Sequence, residues 1–182
     1  MSDRHDLDTP SAWIVRWSPL VPAGGRVLDV ACGTGRHARH FARRGHVVIA
    51  TDRDANALQQ LAGVAGVETR LADLEGTAWP FEASSFDAVV VANYLSRPLF
   101  PHLMAALRPG GVLVYETFMR GNERFGRPSN PDFLLAPGEL LDRIAGVLAP
   151  VAFEQGTVAT PRPAVIQRLC AVRADPGMAV LS

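Results

Sequence analysis

The chain has 182 residues, of which 48% are hydrophobic, and its 18 basic residues balance 18 acidic ones. This length and composition predict one domain, residues 1–182, with a sizeable core, whereas the zero net charge argues against nucleic acid or an anionic membrane surface as a partner. Since no apolar stretch approaches the roughly 20 residues that span a bilayer, we expect a cytoplasmic protein that acts on a small molecule.

The N-terminal region, residues 1–24, begins with polar residues and then carries two tryptophans spaced four apart. If residues 10–18 are helical, the rings of Trp13 and Trp17 project from the same side of the helix. We expect that side to pack against the domain, because paired rings of this kind more often fill a core than bind a substrate. We also expect this cap helix to cover the cleft that holds a ligand.

Short runs rich in β-branched residues alternate with segments of helical periodicity along the middle of the chain. The runs predict strands at residues 27–30, 47–50, 67–71, 86–92 and 112–118. Helices are predicted at residues 36–44, 54–63, 98–107 and 137–146, on the basis of apolar spacing and of residues suited to helix ends. This alternation is typical of a parallel sheet that helices cover on both faces.

Two further apolar runs, residues 147–153 and 164–172, predict the last two strands. The segment between them is too short for a crossover helix, so these strands should pair antiparallel. The prediction is therefore an α/β fold with a Rossmann-like seven-stranded sheet, mostly parallel with a C-terminal antiparallel hairpin, and with helices on both faces.

The turn between the first predicted strand and the first predicted helix carries the most information about function. Asp29 ends the apolar strand, and Gly33 and Gly35 permit left-handed dihedral angles and the close approach of a ligand to the main chain. Asp52 follows the next strand, 19 positions after Gly33, where an acidic side chain can accept hydrogen bonds from both ribose hydroxyls. Together these residues predict a site for an adenosine-bearing cofactor.

Five segments in order along residues 25–120 extend this pattern: Asp29 to Gly35, Asp52, Leu71 to Leu74, Phe86 to Val90, and Leu107 to Gly111. They resemble the motifs of the class I S-adenosylmethionine-dependent methyltransferases, with Ala31 at a position where a glycine is often found. The resemblance implies S-adenosylmethionine as the cofactor. Methyl transfer from a sulfonium requires alignment and the exclusion of water, and we expect no metal ion.

The resemblance also implies which residues hold the cofactor. It places Asp29 near the ammonium group, Gly33 and Gly35 against the methionine end, Asp52 on the ribose and Asp73 beside the adenine. The whole implied set of cofactor-binding residues is Asp29, Ala31, Gly33, Gly35, Asp52, Arg53, Asp73, Leu74 and Asn93.

The acceptor side is expected at the carboxyl end of the fourth strand, where open α/β sheets form their clefts. Asn93 and Tyr94 follow that strand and are our candidate catalytic residues. A neutral amine or hydroxyl acceptor benefits from a general base, whereas an anionic acceptor needs none. The candidate bases are His37, Tyr94, His102 and Glu116. The two cysteines, Cys32 and Cys170, have neither metal-ligand spacing nor a disulfide framework, so we expect them to be reduced and structural.

The segment from residue 119 to residue 136 is long and polar enough to be a substrate loop. Its three arginines, Arg120, Arg124 and Arg127, are candidate substrate-binding residues and favour an anionic acceptor. Residues 115–118, 120–124 and 137–140 are similar to segments of small bacterial proteins grouped with tellurite-resistance methyltransferases. That similarity implies a small acceptor or a heteroatom acceptor.

Two other functions remain open on the sequence alone. Gly33, Gly35 and Ala38 also fit the turn of a NAD(P)-dependent oxidoreductase, and Asp52 has the required spacing. The chain leaves little room for a substrate-carrying extension of that enzyme class, and the terminal hairpin argues for the methyltransferase architecture. A regulatory module that binds S-adenosylmethionine without turnover would keep the same cofactor residues.

Overall fold

The computed structural model describes residues 9–174, which form one seven-stranded sheet with helices on both faces. The strands are β1 (Arg26–Val30), β2 (Val47–Asp52), β3 (Val67–Leu71), β4 (Phe86–Ala92), β5 (Leu107–Phe118), β6 (Ala149–Val158) and β7 (Ala164–Val172). The helices are α1 (Ala12–Trp17), α2 (Arg36–Arg43), α3 (Ala55–Gln59), α4 (Phe100–Ala106) and α5 (Glu139–Ile144). Short 3-10 turns occupy Ser18–Leu20, Arg97–Leu99, Asn122–Arg124 and Pro131–Phe133.

The strand order is β3-β2-β1-β4-β5-β7-β6. The first five strands pair in parallel, and β7 lies antiparallel between β5 and β6. The carboxyl ends of β1 to β5 therefore meet at one edge of the sheet, where this class of fold places its ligands. The predicted fold class, including the reversed C-terminal hairpin, is confirmed.

Two apolar cores cover the two faces of the sheet, because successive side chains of a strand point to opposite sides. Leu28 and Val89 face one core, together with Phe100 of α4. Val27 of β1 faces the other core with Phe41 of α2. The central strands are therefore buried on both faces, which explains why they read as nearly continuous apolar runs.

The predicted strands agree with the structure more closely than the predicted helices do. The strands predicted at 67–71, 86–92 and 164–172 have those bounds in the structure. The helix predicted at 54–63 ends at Gln59, and the one predicted at 98–107 ends at Ala106, since Leu107 pairs with Phe86 as the start of β5. The strand predicted at 147–153 runs instead from Ala149 to Val158, because its polar second half pairs with β7 along an exposed edge.

The predicted N-terminal helix is present as α1 and packs as expected. The rings of Trp13 and Trp17 meet edge to face, with 5.6 Å between their centroids. The indole Nε1 of Trp13 donates a hydrogen bond to the carbonyl oxygen of Leu169 at 3.3 Å. These contacts fix α1 against β5 and β7. Among residues 9–174, no helix is both long enough and apolar enough to cross a bilayer.

Candidate functional site

A cleft of about 440 Å³ opens at the edge where the parallel strands end. That volume is within the usual range for small-molecule sites, about 300 to 1,000 Å³. The cleft is lined by residues that lie at the ends of β1, β2, β3, β4 and β5, or soon after them, and by two residues of the loop that follows β5. They are Ala31, Asp52, Arg53, Ala72, Asp73, Leu74, Glu75, Asn93, Tyr94, Leu95, Thr117, Phe118, Pro128 and Phe133.

Most of the sequence-predicted cofactor residues come together in this cleft. Six of the nine line it: Ala31, Asp52, Arg53, Asp73, Leu74 and Asn93. The other three, Asp29, Gly33 and Gly35, are not part of the lining and belong to β1 and the turn that follows it. The candidate catalytic residue Tyr94 also lines the cleft.

The turn after β1 adopts the left-handed conformations that its glycines predict. The φ angles are +51° at Ala31, +54° at Gly33 and +81° at Gly35. A Cβ atom added to Gly33 would meet no heavy atom within 4 Å, whereas one added to Gly35 would lie 2.4 Å from the side chain of Leu61. Gly33 therefore leaves space beside the main chain, while at position 35 both the positive φ and the packing against Leu61 favour glycine.

Asp52 is held in a defined orientation at the end of β2. Its Oδ2 accepts a hydrogen bond from the amide of Gly33 at 2.8 Å, and its Oδ1 accepts one from the amide of Asp54 at 2.9 Å. The carboxylate thus joins the end of β2 to the glycine turn after β1. Because each carboxylate oxygen has two lone pairs, both oxygens retain acceptor capacity toward the cleft.

Asp29 is buried at the end of β1, and its Oδ2 has no hydrogen-bond partner among the described residues. Burial raises the pKa of this carboxyl group to about 7, although the amide of Ala38 and the charge of Arg36 act in the opposite direction. A buried carboxylate oxygen without a partner is unfavourable unless something supplies one. Asp29 is therefore suited to a cationic group brought by a ligand.

The segment after β4 is fixed by hydrogen bonds on both sides of the cleft. The amide of Asn93, which has a φ of +57°, donates to the carbonyl oxygen of Glu116 at 2.8 Å. The Tyr94 hydroxyl donates to Oε1 of Glu75 at 2.9 Å, and the carbonyl oxygen of Tyr94 accepts from the hydroxyl of Tyr115 at 2.8 Å. Burial, followed by the contact with Glu75, raises the pKa of Tyr94. The phenol is therefore protonated near neutrality and acts as a donor rather than as a base.

The predicted substrate loop, residues 119–136, reaches the cleft through Pro128 and Phe133. Arg97 holds its second half: Nη1 donates to the carbonyl oxygen of Asp132 at 2.7 Å and Nη2 to that of Leu134 at 3.0 Å. The same guanidinium binds Glu139 through two further hydrogen bonds of 2.8 and 3.0 Å.

Asn122 and Glu139 complete the attachment of this loop. The Nδ2 of Asn122 donates to the carbonyl oxygen of Pro128 at 3.0 Å, and its Oδ1 accepts from the amide of Val165 at 3.1 Å. Burial alone would raise the pKa of Glu139, but hydrogen bonds from Arg97, the Ala136 amide and Arg143 outweigh it and hold the pKa at about 2. The loop is thus tied to β7 and to α5 by side chains distant in sequence.

The three arginines proposed for substrate binding are exposed, and none of them lines the cleft. Arg124 donates from Nε to the carbonyl oxygen of Gly121 at 3.1 Å and lies over the ring of Phe125. The structure therefore does not bring Arg120, Arg124 and Arg127 into the cleft. Their role in substrate binding stays a prediction.

Of the four candidate bases, only Tyr94 lines the cleft. His37 is buried, its Nε2 accepts from the amide of Ser11 at 3.1 Å, and burial lowers its pKa to about 3. Glu116 accepts from the hydroxyl of Ser11 at 2.8 Å and from Arg168 at 2.7 Å. His102 stacks on a tryptophan ring. His37 and Glu116 therefore anchor the start of α1, although no residue of α1 is among those that line the cleft.

Sequence reasoning missed seven lining residues: Ala72, Glu75, Leu95, Thr117, Phe118, Pro128 and Phe133. The rule that found Asn93 also applies to Ala72, Thr117 and Phe118, since these lie at or just after the carboxyl ends of strands. No local signal marks Pro128 or Phe133, because contacts made by Arg97 and Asn122 determine where this loop lies.

The known proteins that this chain is similar to are methyltransferases. Residues 27–111 match a family described as a methyltransferase domain. The chain is 38% identical over 101 residues to a demethylmenaquinone methyltransferase of Clavibacter sepedonicus, covering 50% of this chain and 40% of the relative. It is 35% identical over 111 residues to a ubiquinone biosynthesis O-methyltransferase of Xanthomonas axonopodis, covering 56% and 46%. The chain spans less than half the length of these curated relatives.

Solved structures show the same fold at low sequence identity. TehB from Haemophilus influenzae superposes with a TM-score of 0.77 at 16% identity, over 91% of this chain and 63% of that protein. A SAM-dependent methyltransferase from Methanosarcina mazei gives a TM-score of 0.71 at 15% identity, over 91% of this chain and 99% of that one. At these identities, the likeness establishes a shared architecture.

Proposed function

We propose that the chain transfers a methyl group from S-adenosylmethionine to a small-molecule acceptor. The proposal rests on the match of residues 27–111 to a methyltransferase domain and on the class I methyltransferase fold. The resemblance seen in the sequence and the predicted fold are both confirmed. The family match and the fold neighbours indicate S-adenosylmethionine as the cofactor. The acceptor and the residues that hold each group are our proposal.

The observation that carries this proposal is a pair of carboxylates: Asp52, which lines the cleft in a fixed orientation, and the buried Asp29 of β1, outside the lining. The unpartnered Oδ2 of Asp29 suits the ammonium group of the cofactor, and the oriented carboxylate of Asp52 suits its ribose. Gly33 leaves open space along the main chain for the methionine end. Asp73 and Leu74 lie on the wall proposed for the adenine. The residues present therefore fit this cofactor.

Charge in the cleft supports the same proposal. Its charged lining residues are three carboxylates, Asp52, Asp73 and Glu75, and one guanidinium, Arg53. An excess of carboxylates favours a ligand that carries positive charge. The cofactor supplies an activated methyl group on a positively charged sulfur, so the chain has only to bind it, orient the acceptor and exclude water.

We place the acceptor beside Asn93, Tyr94 and the loop residue Phe133. Asn93 and Tyr94 line the cleft just after β4, and Phe133 lines it from the loop that follows β5. Tyr94 stays protonated there because its pKa is raised, and since its proton is donated to Glu75, its hydroxyl oxygen would accept a hydrogen bond from the acceptor. One relative is named as a ribosomal protein L11 methyltransferase. A cleft of about 440 Å³ instead favours a small molecule as the acceptor. We therefore propose a cytoplasmic enzyme that methylates a small molecule.

Calorimetric titration with S-adenosylhomocysteine and, separately, with NADH tests the proposed cofactor. We expect binding of S-adenosylhomocysteine and no saturable binding of NADH. Tight binding of NADH alone would instead establish the oxidoreductase that shares this glycine turn.

Turnover needs a second measurement, because methyl transfer depends on no single indispensable side chain. We expect the transfer of a labelled methyl group to a component of the low-molecular-weight fraction of a cell extract. Cofactor binding without any labelled product would favour the non-catalytic module.

A further inference from the structure

The lining of the cleft is divided by polarity. Its charged residues, Asp52, Arg53, Asp73 and Glu75, all follow β2 and β3. Besides the uncharged polar residues Asn93 and Thr117, the end formed after β4, at the end of β5 and by the substrate loop is lined by five apolar or aromatic side chains. These are Tyr94, Leu95, Phe118, Pro128 and Phe133.

The arginine side chains of the substrate loop and Arg97 do not line this apolar end. The guanidinium of Arg97 donates hydrogen bonds to Glu139 and to two carbonyl oxygens of the loop. The loop arginines are exposed and lie outside the lining. An acceptor carboxylate or oxyanion placed at the apolar end would therefore lose water without gaining a cationic side chain of the described residues as a partner, which is unfavourable. Glu75, bound to Tyr94 at the boundary of this end, would repel it further.

Phe133 gives a positive reason for an apolar ligand. Although it lines the cleft, it is 52% exposed, so much of its ring is in contact with solvent. A ligand that covers this ring gains the free energy of apolar burial, and an aromatic ligand gains ring contacts as well. The loop thus presents an uncovered aromatic surface beside the place proposed for methyl transfer.

We propose, resting on the methyltransferase function above, that the acceptor enters this end as an uncharged group on an aromatic or compact apolar body. The structure thereby favours a neutral acceptor over the anionic one that the loop arginines had suggested. The specificity comes from the apolar wall of Tyr94, Phe118 and Phe133, together with the lack of a free cation on that wall among the described residues.

A matched pair of probes tests the proposal on the full chain. 4-Methylphenol and benzoate have similar size and differ in charge at neutral pH. Binding of each is measured by ligand-observed NMR, with and without saturating S-adenosylhomocysteine. We expect 4-methylphenol to bind at least about tenfold more tightly than benzoate. Tighter binding of benzoate, or binding of neither probe, would overturn the proposal.

Two phenylalanines of the same loop supply the variants. Phe133→Ala should weaken 4-methylphenol about tenfold, because it removes the exposed ring of the wall. Phe125→Ala is the matched control, since Phe125 is 46% exposed in the same loop and does not line the cleft. Equal effects of the two variants would contradict the assignment of this wall.

The experiment also separates the two proposals. Failure of S-adenosylhomocysteine to bind the wild-type chain would refute the proposed function, whereas the probe preference can still be measured on the free protein. Cofactor binding together with a preference for benzoate would refute only the acceptor class. In both Phe variants, binding of S-adenosylhomocysteine should stay within about twofold of wild type.

Discussion

The two ends of the cleft are built in different ways. At the cofactor end, main-chain turns place the functional groups, and the key contact joins the Asp52 carboxylate to the Gly33 amide. At the end proposed for the acceptor, the loop is held by contacts between residues far apart in sequence, above all Arg97 with Glu139 and the side chain of Asn122 with the amide of Val165. The comparison shows that the conformation of the first end depends largely on the turns after the strands. The second end forms only once the whole domain has folded.

The largest expected effect concerns the cofactor end. Gly35→Ala should destabilise the protein by about 2 to 4 kcal/mol, because the new Cβ lies 2.4 Å from Leu61 and φ is +81°. Gly33→Ala is the matched variant: it meets open space and should cost only about 1 to 2 kcal/mol of backbone strain. Chemical denaturation measures both. Equal losses would show that packing against Leu61 is not what distinguishes the two glycines.

Asp52→Ala should weaken the binding of S-adenosylhomocysteine roughly ten- to a hundredfold. The reason is the loss of a charged hydrogen-bond acceptor, worth about 1.5 to 3 kcal/mol. Asp54→Asn is the control, since Asp54 caps α3 through its side chain and an asparagine preserves that cap. Calorimetry gives both affinities. Unchanged affinity of the Asp52 variant would remove this residue from the proposed ribose site.

Arg97→Lys should loosen the acceptor end and leave the cofactor end intact. A lysine cannot reproduce the two hydrogen bonds to Glu139 together with those to the carbonyl oxygens of Asp132 and Leu134. We therefore expect the free energy of unfolding to fall by about 1 to 2 kcal/mol. Trypsin should then cut more rapidly after Arg120 and Arg124, which flank the start of the loop.

Arg143→Lys provides the control for that experiment. Arg143 also binds Glu139 but makes no hydrogen bond to the loop carbonyls that Arg97 contacts. Its variant should therefore leave the rate of loop cleavage within about twofold of wild type, on the scale of a partly exposed ion pair. If both variants accelerate cleavage equally, the loop depends on the charge balance at Glu139 rather than on Arg97.

The smallest expected effect is the net pH dependence of the wild-type chain, because two buried groups, Asp29 and His37, oppose each other. Burial raises the pKa of Asp29 to about 7, so its contribution to stability is lost as the pH rises from about 4 toward 7. Burial lowers the pKa of His37 to about 3, so its contribution is lost as the pH falls below about 6.5. Between about pH 4.5 and 6.5 the two slopes therefore partly cancel.

Comparing single variants with the wild-type chain measures how much each group contributes to the slope of the unfolding free energy against pH. His37→Gln keeps an acceptor for Ser11 and should make stability rise more steeply on acidification, while Asp29→Asn should make it fall more steeply. Each slope is bounded by about 1.4 kcal/mol per pH unit. Urea denaturation at several pH values measures them. Parallel curves for wild type and both variants would show that neither group titrates differently in the folded state.

The sequence predicted the parts of the molecule whose geometry is set nearby. Buried runs such as residues 86–92 identify central strands, and the turn around Gly33 indicates the end of the cleft proposed for the cofactor, because each pattern depends on residues a few positions apart. The polar half of β6 was missed, since its strand conformation comes from pairing with β7 rather than from its own pattern.

The loop arginines show why the acceptor end was harder to predict. Composition reveals that Arg124 is charged but not that its guanidinium turns back to the carbonyl oxygen of Gly121. Conversely, Phe133 carries no chemical signature, and only the folded loop brings it to the cleft. Glu139 was part of a recognised segment, yet its role as the partner of Arg97 depends on a contact between residues 42 positions apart.

The reversed direction of β7 has a practical consequence for handling the protein. Val172 pairs with Val112 in the first half of β5, and Arg173 exchanges main-chain hydrogen bonds with Gly110 and Gly111, so β7 ends toward the rim opposite the cleft. Thr9, by contrast, lies against Arg36 of α2, beside the glycine turn. A surface tether or fluorescent fusion is therefore better attached after the last strand than before α1.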